Sequence, residues 1–479
     1  MVRFLLNNEP VELQVSNPNM TVLNYLREQQ RKTGTKEGCA AGDCGACTVV
    51  VASPSDDGNS LNYTTINSCI ALMSSLHGKQ LITVEDLASL QAQHPVQTAM
   101  VKHNGSQCGF CTPGFVMSAF AFYHSDNAPE RENVIDALSG NLCRCTGYRP
   151  IIDATIDACS NKTADKFDEQ QTTTLARLHA LSREEITEDS QLLMPDTREA
   201  LQKAIADNPD ATLVAGSTDL ALEITQKHQS FKTLISLSQM RCLQEVDVTE
   251  SHIIIGAAVP LSRAMKTLVS HYPALKELFT RFASLPVRNQ ATMGGNVANA
   301  SPIGDTPPLL LALNADIVAD NGSDTRSIPA NAFFTGYRQT ALQSNEWISA
   351  IHIPLPQPDQ YLAAYKISKR MEDDISAVLA VFNVRISDGV ITSVASGFGG
   401  VAATPVECTA LAASLVGKPW RDAQTLTEGR NLLTHAFNPI DDVRATAAYR
   451  KQVLGNLWHR FWLENQQDNL IPTRVVHHA

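Results

Sequence analysis

The chain has 479 residues, which is too long for one ordinary hydrophobic core and predicts two to four domains. Its formal net charge of -11 disfavours nucleic acid and anionic membrane surfaces as main partners, because both are themselves negatively charged. No apolar run is long enough to span a membrane, and the N-terminus lacks the apolar core of a signal peptide, so we expect a cytoplasmic protein.

The first third of the chain predicts a small sheet followed by helices. Residues 2–15 form two apolar-rich runs on either side of Asn7-Asn8, which is the pattern of a β-hairpin. Thr21 begins a helical pattern, and CTVVVAS and LITVEDL indicate further strands. Residues 94–123 and 129–142 then show helical spacing.

The remainder alternates between helix and strand patterns. Residues 160–192 are polar, charged and free of glycine, which predicts a tether in which LARLHAL could form a short helix. TREALQKAIADN indicates a helix, and ATLVAGSTDL, TLISLSQM and HIIIGAAV indicate strands. From Lys369 onwards, two more strands and two more helices are expected: SAVLAVFNVRI, ITSVASGFGGVA, DAQTLTEGRNLLTHAF and TAAYRKQVLGNLWHRFWLENQ. The tail Val476–Ala479 is expected to be solvated.

Eight of the 11 cysteines fall in the first 150 residues, in two groups of four. The first cysteine group consists of Cys39, Cys44, Cys47 and Cys69. Its C-x4-C-x2-C spacing, with one cysteine further along, is that of a plant-type [2Fe-2S] ferredoxin. Gly38, Gly42 and Gly45 can adopt positive φ and let backbone N–H groups approach the cluster. A zinc site is the alternative, although zinc shells usually show two paired knuckles and only one half is paired here.

The second cysteine group consists of Cys108, Cys111, Cys143 and Cys145. Its two pairs lie on helical stretches about thirty residues apart, so two antiparallel helix ends could bring the four sulfur atoms together. Four thiolates suit either zinc or a cluster, and the spacing alone leaves both open. Because the group follows a ferredoxin-type domain, we interpret it as a second electron-transfer station. The isolated Cys159, Cys242 and Cys408 are given no role.

A glycine-rich turn, residues 215–220, follows a predicted strand. Successive N–H groups in such a turn form an anion-binding nest, and Ser217 and Thr218 add hydroxyl donors suited to a diphosphate, although a plain turn is the alternative. ATMGGNVANASPIGDTPPLL supplies a second glycine-rich segment that could hold the same nucleotide. SGFGGVAA lacks the spacing and acidic residue of a dinucleotide fingerprint. The 13 histidines form no metal-ligand pattern.

Four motifs carry a family resemblance. GCAAGDCGACTVV, SCIALMSSLHGKQLITVEDL, QCGFCTPGFVMSA and LSGNLCRCTGYRPIIDA resemble the iron–sulfur region of the molybdenum hydroxylases, which include xanthine dehydrogenase, aldehyde oxidase and carbon monoxide dehydrogenase. The resemblance implies that the first cysteine group holds the [2Fe-2S] cluster nearer the flavin and the second group holds the one nearer the molybdenum cofactor. Gln107 would touch the pterin of a partner subunit.

The resemblance also implies a multi-domain α+β fold. Its domains would be a β-grasp [2Fe-2S] ferredoxin-like domain (1–82), a helical [2Fe-2S]-binding domain (83–160), a linker (161–191), a two-subdomain FAD-binding domain that is not a Rossmann fold (192–365) and an α+β flavoprotein C-terminal domain (366–479).

By the same resemblance, both glycine-rich segments bind FAD. The implied diphosphate-loop residues are Leu213, Ala215, Gly216, Ser217, Thr218, Asp219 and Leu220, and those of the second segment are Thr292, Gly295, Asn296, Asn299, Ser301 and Asp305. Phe282 would stack near the isoalloxazine, Ile348 would flank the flavin and Lys366 would lie near FAD. The alternatives are ordinary core for Phe282 and an exposed strand position for Lys366. Thr212 replaces the long side chain that often precedes the loop, a departure that bears on FAD affinity.

The resemblance implies an electron-transfer subunit with no catalytic residue of its own. Electrons from hypoxanthine or xanthine hydroxylation to urate, on a molybdopterin-binding large subunit, would pass through both clusters to FAD and on to NAD. The fusion of clusters and flavin favours the xanthine branch. We expect a second, molybdopterin-binding subunit from the chain length, and the resemblance implies a heterotetramer of two small and two large subunits. The alternatives are the equivalent subunit of an aldehyde or N-heterocycle hydroxylase, and a zinc-stabilised scaffold. Oxygen remains open as the acceptor, and the KRMEDD run, residues 369–374, is either a modulator of acceptor access or a solvated loop.

Overall fold

The computed structural model describes residues 1–89, 92–182, 191–466 and 473. The predicted tail Val476–Ala479 lies outside them. The strands, in chain order, are β1 (Val2–Leu6), β2 (Glu9–Leu13), β3 (Thr48–Pro54), β4 (Leu61–Asn67), β5 (Gln80–Ile82), β6 (Leu192–Leu193), β7 (Thr212–Val214), β8 (Leu234–Ser236), β9 (Val246–Val248), β10 (His252–Gly256), β11 (Asp316–Asp320), β12 (Thr325–Pro329), β13 (Phe334–Gly336), β14 (Gln339–Thr340), β15 (Trp347–Pro354), β16 (Gln360–Ile367), β17 (Val378–Ser387) and β18 (Val390–Gly399).

The helices range from single turns to 18 residues. In chain order they are α1 (Val22–Asn24), α2 (Pro95–Lys102), α3 (Thr112–Tyr123), α4 (Arg131–Ala137), α5 (Arg149–Ser160), α6 (Lys166–Leu181), α7 (Arg198–Asp207), α8 (Leu220–Thr225), α9 (Leu261–His271), α10 (Lys276–Thr280), α11 (Leu285–Gln290), α12 (Met293–Ala298), α13 (Thr306–Ala312), α14 (Ala330–Phe333), α15 (Thr409–Leu415), α16 (Ala423–His435) and α17 (Ala447–Glu464). A π turn, Tyr25–Gln29, continues α1. No helix in the described part of the chain is long and apolar enough to cross a membrane.

The chain forms two compact units. The first comprises Met1–Arg241, Pro260–Ser262 and Ala283–Thr292, and the second comprises Cys242–Val259, Arg263–Phe282 and Met293–Ala479.

The first unit begins with the predicted hairpin. Leu6 pairs with Glu9 across a two-residue turn whose first residue, Asn7, has φ +54°. The sheet order is β2-β1-β5-β3-β4, with β1 and β5 parallel. Thr21 caps the following helix by accepting a hydrogen bond from the Asn24 N–H, as its sequence predicts. A separate parallel sheet, β6-β8-β7, lies further along the same unit.

Helices α2 to α5 form a core around α3, whose Phe115 and Phe120 are fully buried. The spacing predicts that the second cysteine group lies on helical stretches. In the structure its cysteines lie in the turns that precede α3 and α5. Both helices carry proline in their first turn, where its missing N–H costs nothing. The helix N-termini therefore begin next to the cysteines.

The predicted tether contains the 16-residue helix α6. Asp165 caps this helix, and its apolar positions Phe167 and Leu178 are buried in the first unit. Leu178 packs with Leu5 and Leu61, so a mostly polar sequence folds because one narrow face has an apolar surface to cover. Residues 183–190 of the predicted tether lie outside the described part of the chain.

The described part of the second unit holds three antiparallel sheets, one of which is the small pair β13-β14. Of the two larger sheets, one has the order β12-β11-β15-β10-β9, and the other, β16-β17-β18, packs with α15 to α17 around an aromatic core that includes Phe382, Trp458 and Phe461. The strands and helices predicted after Lys369 are all present as β17, β18, α16 and α17.

Candidate functional site

The four members of the first cysteine group converge at one place in the first unit. Cys47 and Cys69 are buried with their sulfur atoms 3.3 Å apart, and Cys39 and Cys44 are half-buried. The backbone N–H groups of Ala41 and Asp43 each lie 3.3 Å from the Cys39 sulfur. Such N–H donors stabilise negative charge on a sulfur ligand.

The thiols perturb one another. Contacts with Cys44 and then Cys69 lower the pKa of Cys39, and contact with Cys69 lowers the pKa of Cys47. The same contacts raise the pKa values of Cys44 and Cys69. Four thiols this close cannot all ionise against each other's charge, so full ionisation requires a cationic centre among them. The donor set fits a [2Fe-2S] cluster, which is bound by four thiolates.

Two of the three glycines proposed for the loop adopt the backbone conformation expected of them. Gly42 has φ +85° and Gly45 has φ +69°. Gly38 does not share this conformation, and its small size is needed instead because a Cβ there would lie 2.7 Å from the Cys44 sulfur. The loop is therefore short of side chains for two different physical reasons.

The second cysteine group converges at the N-termini of α3 and α5. Cys108 contacts Cys145, and Cys111 contacts Cys143. Burial raises the pKa of Cys111 to about 12. At Cys143 burial acts in the same direction, but the hydroxyl and N–H of Thr146 prevail and lower the pKa. The positive helix ends favour thiolates, and this set of four also fits a cluster.

The two cysteine groups differ in exposure. Cys108 and Cys145 are exposed, whereas no member of the first group is. Phe110, which lies between the cysteines of one pair, is 48% exposed, and Leu142 beside the other pair is 52% exposed. Gln107 is also exposed. The second group therefore lies at a surface with apolar side chains around it.

One hydrogen bond joins the two cysteine groups. The Leu142 N–H, one residue before Cys143, donates to the Cys44 carbonyl at 3.0 Å. Close backbone packing accompanies this bond, because a Cβ at Gly114 would lie 2.1 Å from the Gly45 carbonyl oxygen. Close backbone packing thus helps to bring the two groups together.

The implied diphosphate loop runs from β7 into α8. A Cβ at Gly216 would lie 1.9 Å from the Gln290 carbonyl oxygen, so only glycine fits there. Ser217 has φ +60°, and its buried hydroxyl donates to the Ile70 carbonyl at 2.6 Å. In this structure the proton of the hydroxyl is used by that bond, which leaves the backbone N–H groups of the turn as the donors to a diphosphate. The loop still has the small residues and tight turn that a diphosphate needs.

Four hydrogen bonds near the first cysteine group were not apparent from the sequence; they come from Ser217 in this loop, Gln226 after α8 and Gln290 on α11. Ser217 bonds to Ile70, the neighbour of Cys69. Gln226 donates to the carbonyls of Cys39 and Ala40 at 3.2 and 2.9 Å. Gln290 accepts from the Asn67 N–H at 2.9 Å. These partners lie 147 to 223 residues apart in sequence, and a polar residue outside any motif offers no pattern that identifies its partner.

The second unit brings together part of the other implied flavin residues. Lys366 is buried on β16 and pairs with Asp305 at 2.5 Å, so its alternative as an exposed strand residue is wrong. Asp305 also accepts from the Ser376 hydroxyl at 2.6 Å. The Thr306 hydroxyl donates to the Asn296 side chain, which links the second glycine-rich segment to the start of α13.

The remaining implied flavin residues are placed as follows. Phe282 and Ile348 are buried in the second unit, and ordinary core remains an adequate account of Phe282. Thr292 is buried in the first unit, where it forms a bridge with Pro260. Half-buried are Leu213, Ala215, Thr218, Leu220, Asn299 and Ser301, whereas Asp219 and Gly295 are exposed.

A histidine cluster also escaped the sequence patterns. The Nε2 atoms of His94 and His124 lie 2.7 and 2.9 Å from the same carboxylate oxygen of Asp165. His94 Nδ1 accepts from the Val96 N–H, so the proton of a neutral His94 is on Nε2, which donates to Asp165. A nitrogen that carries a proton is no metal ligand, and we therefore interpret the cluster as a closed hydrogen-bond network.

Four family models match the chain, and together they account for most of it. They are a 2Fe-2S iron-sulfur cluster binding domain (residues 4–74), a [2Fe-2S] binding domain (83–156), an FAD binding domain in molybdopterin dehydrogenase (188–356) and a CO dehydrogenase flavoprotein C-terminal domain (363–465).

Similar proteins include xanthine dehydrogenases. The chain is 34% identical to the xanthine dehydrogenase of Emericella nidulans over 96% of its own length and 38% of that protein. For the xanthine dehydrogenase of Calliphora vicina the identity is 32%, over 99% of this chain and 39% of that one. The chain thus spans less than two fifths of the length of these relatives.

Solved structures share part of this fold. The Cu,Mo-CO dehydrogenase superposes with a TM-score of 0.53 and 24% identity, covering 58% of this chain and 97% of that one. Quinoline 2-oxidoreductase from Pseudomonas putida 86 superposes with a TM-score of 0.54 and 22% identity, covering 60% and 100%. Together with the two [2Fe-2S] domains, the FAD-binding domain and the xanthine dehydrogenase relatives, this fold places the chain in the molybdenum hydroxylase family, as an iron–sulfur and FAD electron-transfer subunit.

Proposed function

We propose that this chain is the electron-transfer subunit of an NAD-dependent xanthine dehydrogenase of the cytoplasm. Hypoxanthine and xanthine would be hydroxylated to urate on a molybdopterin-binding large subunit, in an assembly of two small and two large subunits. When bound, the two [2Fe-2S] clusters would carry single electrons, and FAD would collect two and pass a hydride to NAD. The identities of 30% and above to xanthine dehydrogenases favour this branch of the family.

The observation that carries the proposal is the continuous series of short contacts through the first unit. It begins at Cys143, whose neighbour Leu142 donates to the Cys44 carbonyl. It continues from the first cysteine group to the diphosphate loop, through the bond from Ser217 to Ile70 and the bonds from Gln226. Structural zinc sites do not need to contact each other or a nucleotide-binding loop, whereas electron transfer needs its centres close together.

The exposure of the second cysteine group supports a partner at that end. Cys108 and Cys145 are exposed beside Phe110 and Leu142, apolar side chains that a second subunit could cover. Gln107 lies at the same surface, where the pterin of a partner could reach it. We assign electron entry to the second group and electron exit to the first.

The chain's own residues would position these groups and exclude water. Cys47 and Cys69 lie with Ala221 and Leu23 in one apolar cluster, which shields one side of the first group. In the second unit, the buried pair of Lys366 and Asp305 holds β16 to the start of α13, and we propose that Asn296 and Ser301 on the adjoining segment contact FAD. We make the same proposal for the other implied flavin residues.

The first test is the composition of the purified chain. We expect a brown protein with about four iron atoms, about four acid-labile sulfides and one released FAD per chain, because two [2Fe-2S] clusters require that number. A colourless protein that contains zinc would overturn the proposal in favour of a scaffold.

The second test is substrate-dependent NAD reduction by the assembled complex. The chain is co-purified with its molybdenum subunit and supplied with xanthine, hypoxanthine, an aldehyde or quinoline, with NAD or oxygen as acceptor. Xanthine-dependent NADH formation supports the proposal. Activity confined to the aldehyde or to quinoline would assign the chain to another branch of the same family, and activity only with oxygen would remove NAD.

A further inference from the structure

We propose that Gln226 is a positioning residue that raises the reduction potential of the cluster held by the first cysteine group. This inference rests on the proposed function, which assigns a [2Fe-2S] cluster to that group. Gln226 belongs to no cysteine motif and is not among the implied flavin residues. It follows the last residue of α8, the helix that continues the diphosphate loop.

The side chain of Gln226 holds the start of the cysteine loop. Its Nε2 donates to the Ala40 carbonyl at 2.9 Å and to the Cys39 carbonyl at 3.2 Å. Ala40 has φ +50°, a left-handed conformation that residues other than glycine rarely adopt. Because this conformation costs free energy, the loop needs an external contact to keep it, and Gln226 provides one.

The bond to Ala40 fixes an N–H group that faces sulfur. The Ala40 carbonyl and the Ala41 N–H belong to the same planar trans peptide unit, in which they point in opposite directions. When Gln226 holds the carbonyl outward, the Ala41 N–H is turned toward the Cys39 sulfur, 3.3 Å away. Gln226 therefore acts on the sulfur through this peptide and not by direct contact.

A hydrogen bond to a ligand sulfur stabilises the reduced cluster, which carries one more negative charge than the oxidised one. Loss of the Gln226 side chain frees the Ala40–Ala41 peptide, weakens the bond to Cys39 and lowers the reduction potential. The effect is local, because the second cysteine group receives hydrogen bonds from other segments, from Thr146 to Cys143 and from the Phe110 N–H to Cys108.

The position of Gln226 is itself fixed by the diphosphate loop. Ser217, at the start of the same segment, donates to the Ile70 carbonyl beside Cys69. Ala221 and the half-buried Leu222 of α8 pack in one apolar cluster with Cys47 and Cys69. One segment, from Ser217 to Gln226, thus contacts the first cysteine group both beside Cys69 and at Cys39. This arrangement couples the conformation of the diphosphate loop to the reduction potential of the cluster.

The test is a redox titration of the holo-chain followed by EPR spectroscopy, with three variants. Gln226→Met keeps the length of the side chain and removes the donor, and Gln226→Glu removes the donor and adds negative charge. Gln229→Met is the matched control, since Gln229 is an exposed residue of the same segment whose N–H bonds to the Glu223 carbonyl. Because Gln226 is itself exposed, we expect all three variants to fold.

We expect Gln226→Met to lower the midpoint potential of one cluster by about 59 mV, which corresponds to a tenfold change in the equilibrium constant for binding one electron. Gln226→Glu should lower it further and change the EPR line shape of the same cluster, and Gln229→Met should change neither. In a Cys111→Ser background, which removes a ligand of the second group, the shifted cluster must be the one that remains.

Unchanged potentials and spectra in a chain that holds both clusters and FAD would overturn the inference and leave the proposed function standing. A shift confined to the cluster of the second group would do the same. A chain without iron would overturn the proposed function and this inference together.

Discussion

The two cysteine groups have the same number of sulfur atoms but opposite surroundings. The first is held in a side-chain-poor loop against a sheet, and two of its sulfurs are buried. The second lies in the turns before α3 and α5, with two of its sulfurs exposed. A buried, backbone-wrapped site suits transfer within the chain, whereas an exposed site at helix ends suits exchange with another molecule. This difference in exposure is the basis for the proposed direction of electron transfer, from the second cysteine group to the first.

The largest expected effect comes from removal of the entry group alone. Cys111→Ser removes a ligand of the second group and should abolish substrate-driven NADH formation by the assembled complex, because electrons no longer enter. NADH oxidation by a dye at the flavin should survive, because that reaction bypasses both cysteine groups. Steady-state assays of the two reactions on one preparation check this. Full substrate-driven NAD reduction in the variant would contradict the order of the relay.

The contact between the groups is tested by a glycine pair. Gly45→Ala would place a Cβ 2.5 Å from the Gly140 carbonyl oxygen, and Gly45 has φ +69°, which strains any other residue. We therefore expect the free energy of unfolding to fall by about 3 kcal/mol or more, with reduced iron content. Gly147→Ala is the control, since Gly147 has φ +71° but no atom within 4 Å of the added Cβ. The control should lose only about 1 kcal/mol. Equal iron content and equal thermal stability of the two variants would show that the backbone contact is unimportant.

The sequence predicts the cysteine groups and the main strands better than it predicts the contacts between them. Cysteine spacing and the Asn7-Asn8 turn are local patterns, and local patterns survive in the fold. The sequence predicts mostly tether where helix α6 lies, because only Phe167, Leu178 and their neighbours face an apolar surface, and the local sequence does not display that surface. Local helix propensity cannot predict the apolar surface that Leu5 and Leu61 present to α6, because both residues are distant in sequence.

The diphosphate loop shows the limit in the site itself. A Gly-Ser-Thr turn after a strand correctly indicates small residues and a tight turn, and Gly216 is required there. The fate of the Ser217 hydroxyl depends on Ile70, a residue 147 positions away, and no local rule predicts that bond. The same holds for Gln226, whose partners lie in the cysteine loop. Long-range polar contacts of single residues are thus the part of the site that requires a structure.

Substitution of Asp165 tests the hydrogen-bond network of His94, His124 and Asp165 in the helical domain. The Asp165 carboxylate accepts from His94 and His124, and it caps α6. Hydrogen bonds from His124 and then His94 overcome the opposing effect of burial and hold the pKa of Asp165 well below its usual range. Asp165→Asn should therefore destabilise the packing of α6 by about 2 to 3 kcal/mol at neutral pH.

Hydrogen-exchange mass spectrometry of the peptides covering α6 measures this loss. Asp168→Asn is the matched control, because Asn keeps a side-chain oxygen that can accept the Asp165 N–H of the same helix cap. It loses only the half-exposed ion pair with His124 at 3.7 Å, and such pairs contribute at most about 1 kcal/mol. Equal exchange in the two variants would contradict the role of Asp165.

The smallest expected effect is a difference in pH dependence between the domain that carries the first cysteine group (the first domain) and the helical domain that carries the second group (the second domain). In the first domain, burial, helped by Arg3, the N-terminus and Lys79, lowers the pKa of His77 to about 4. Since its unfolded pKa is about 6.5, the unfolded domain binds more protons as the pH falls from 6.5 toward 4, and about 2 kcal/mol should be lost between pH 7.5 and 5. Asp165 has a depressed pKa, so its contribution in the second domain persists until the pH falls below about 4. At pH 5, hydrogen exchange should therefore rise in β1 and β5 but not in α6, and His77→Gln should remove the rise. A rise that is equal in both domains would contradict this difference between them.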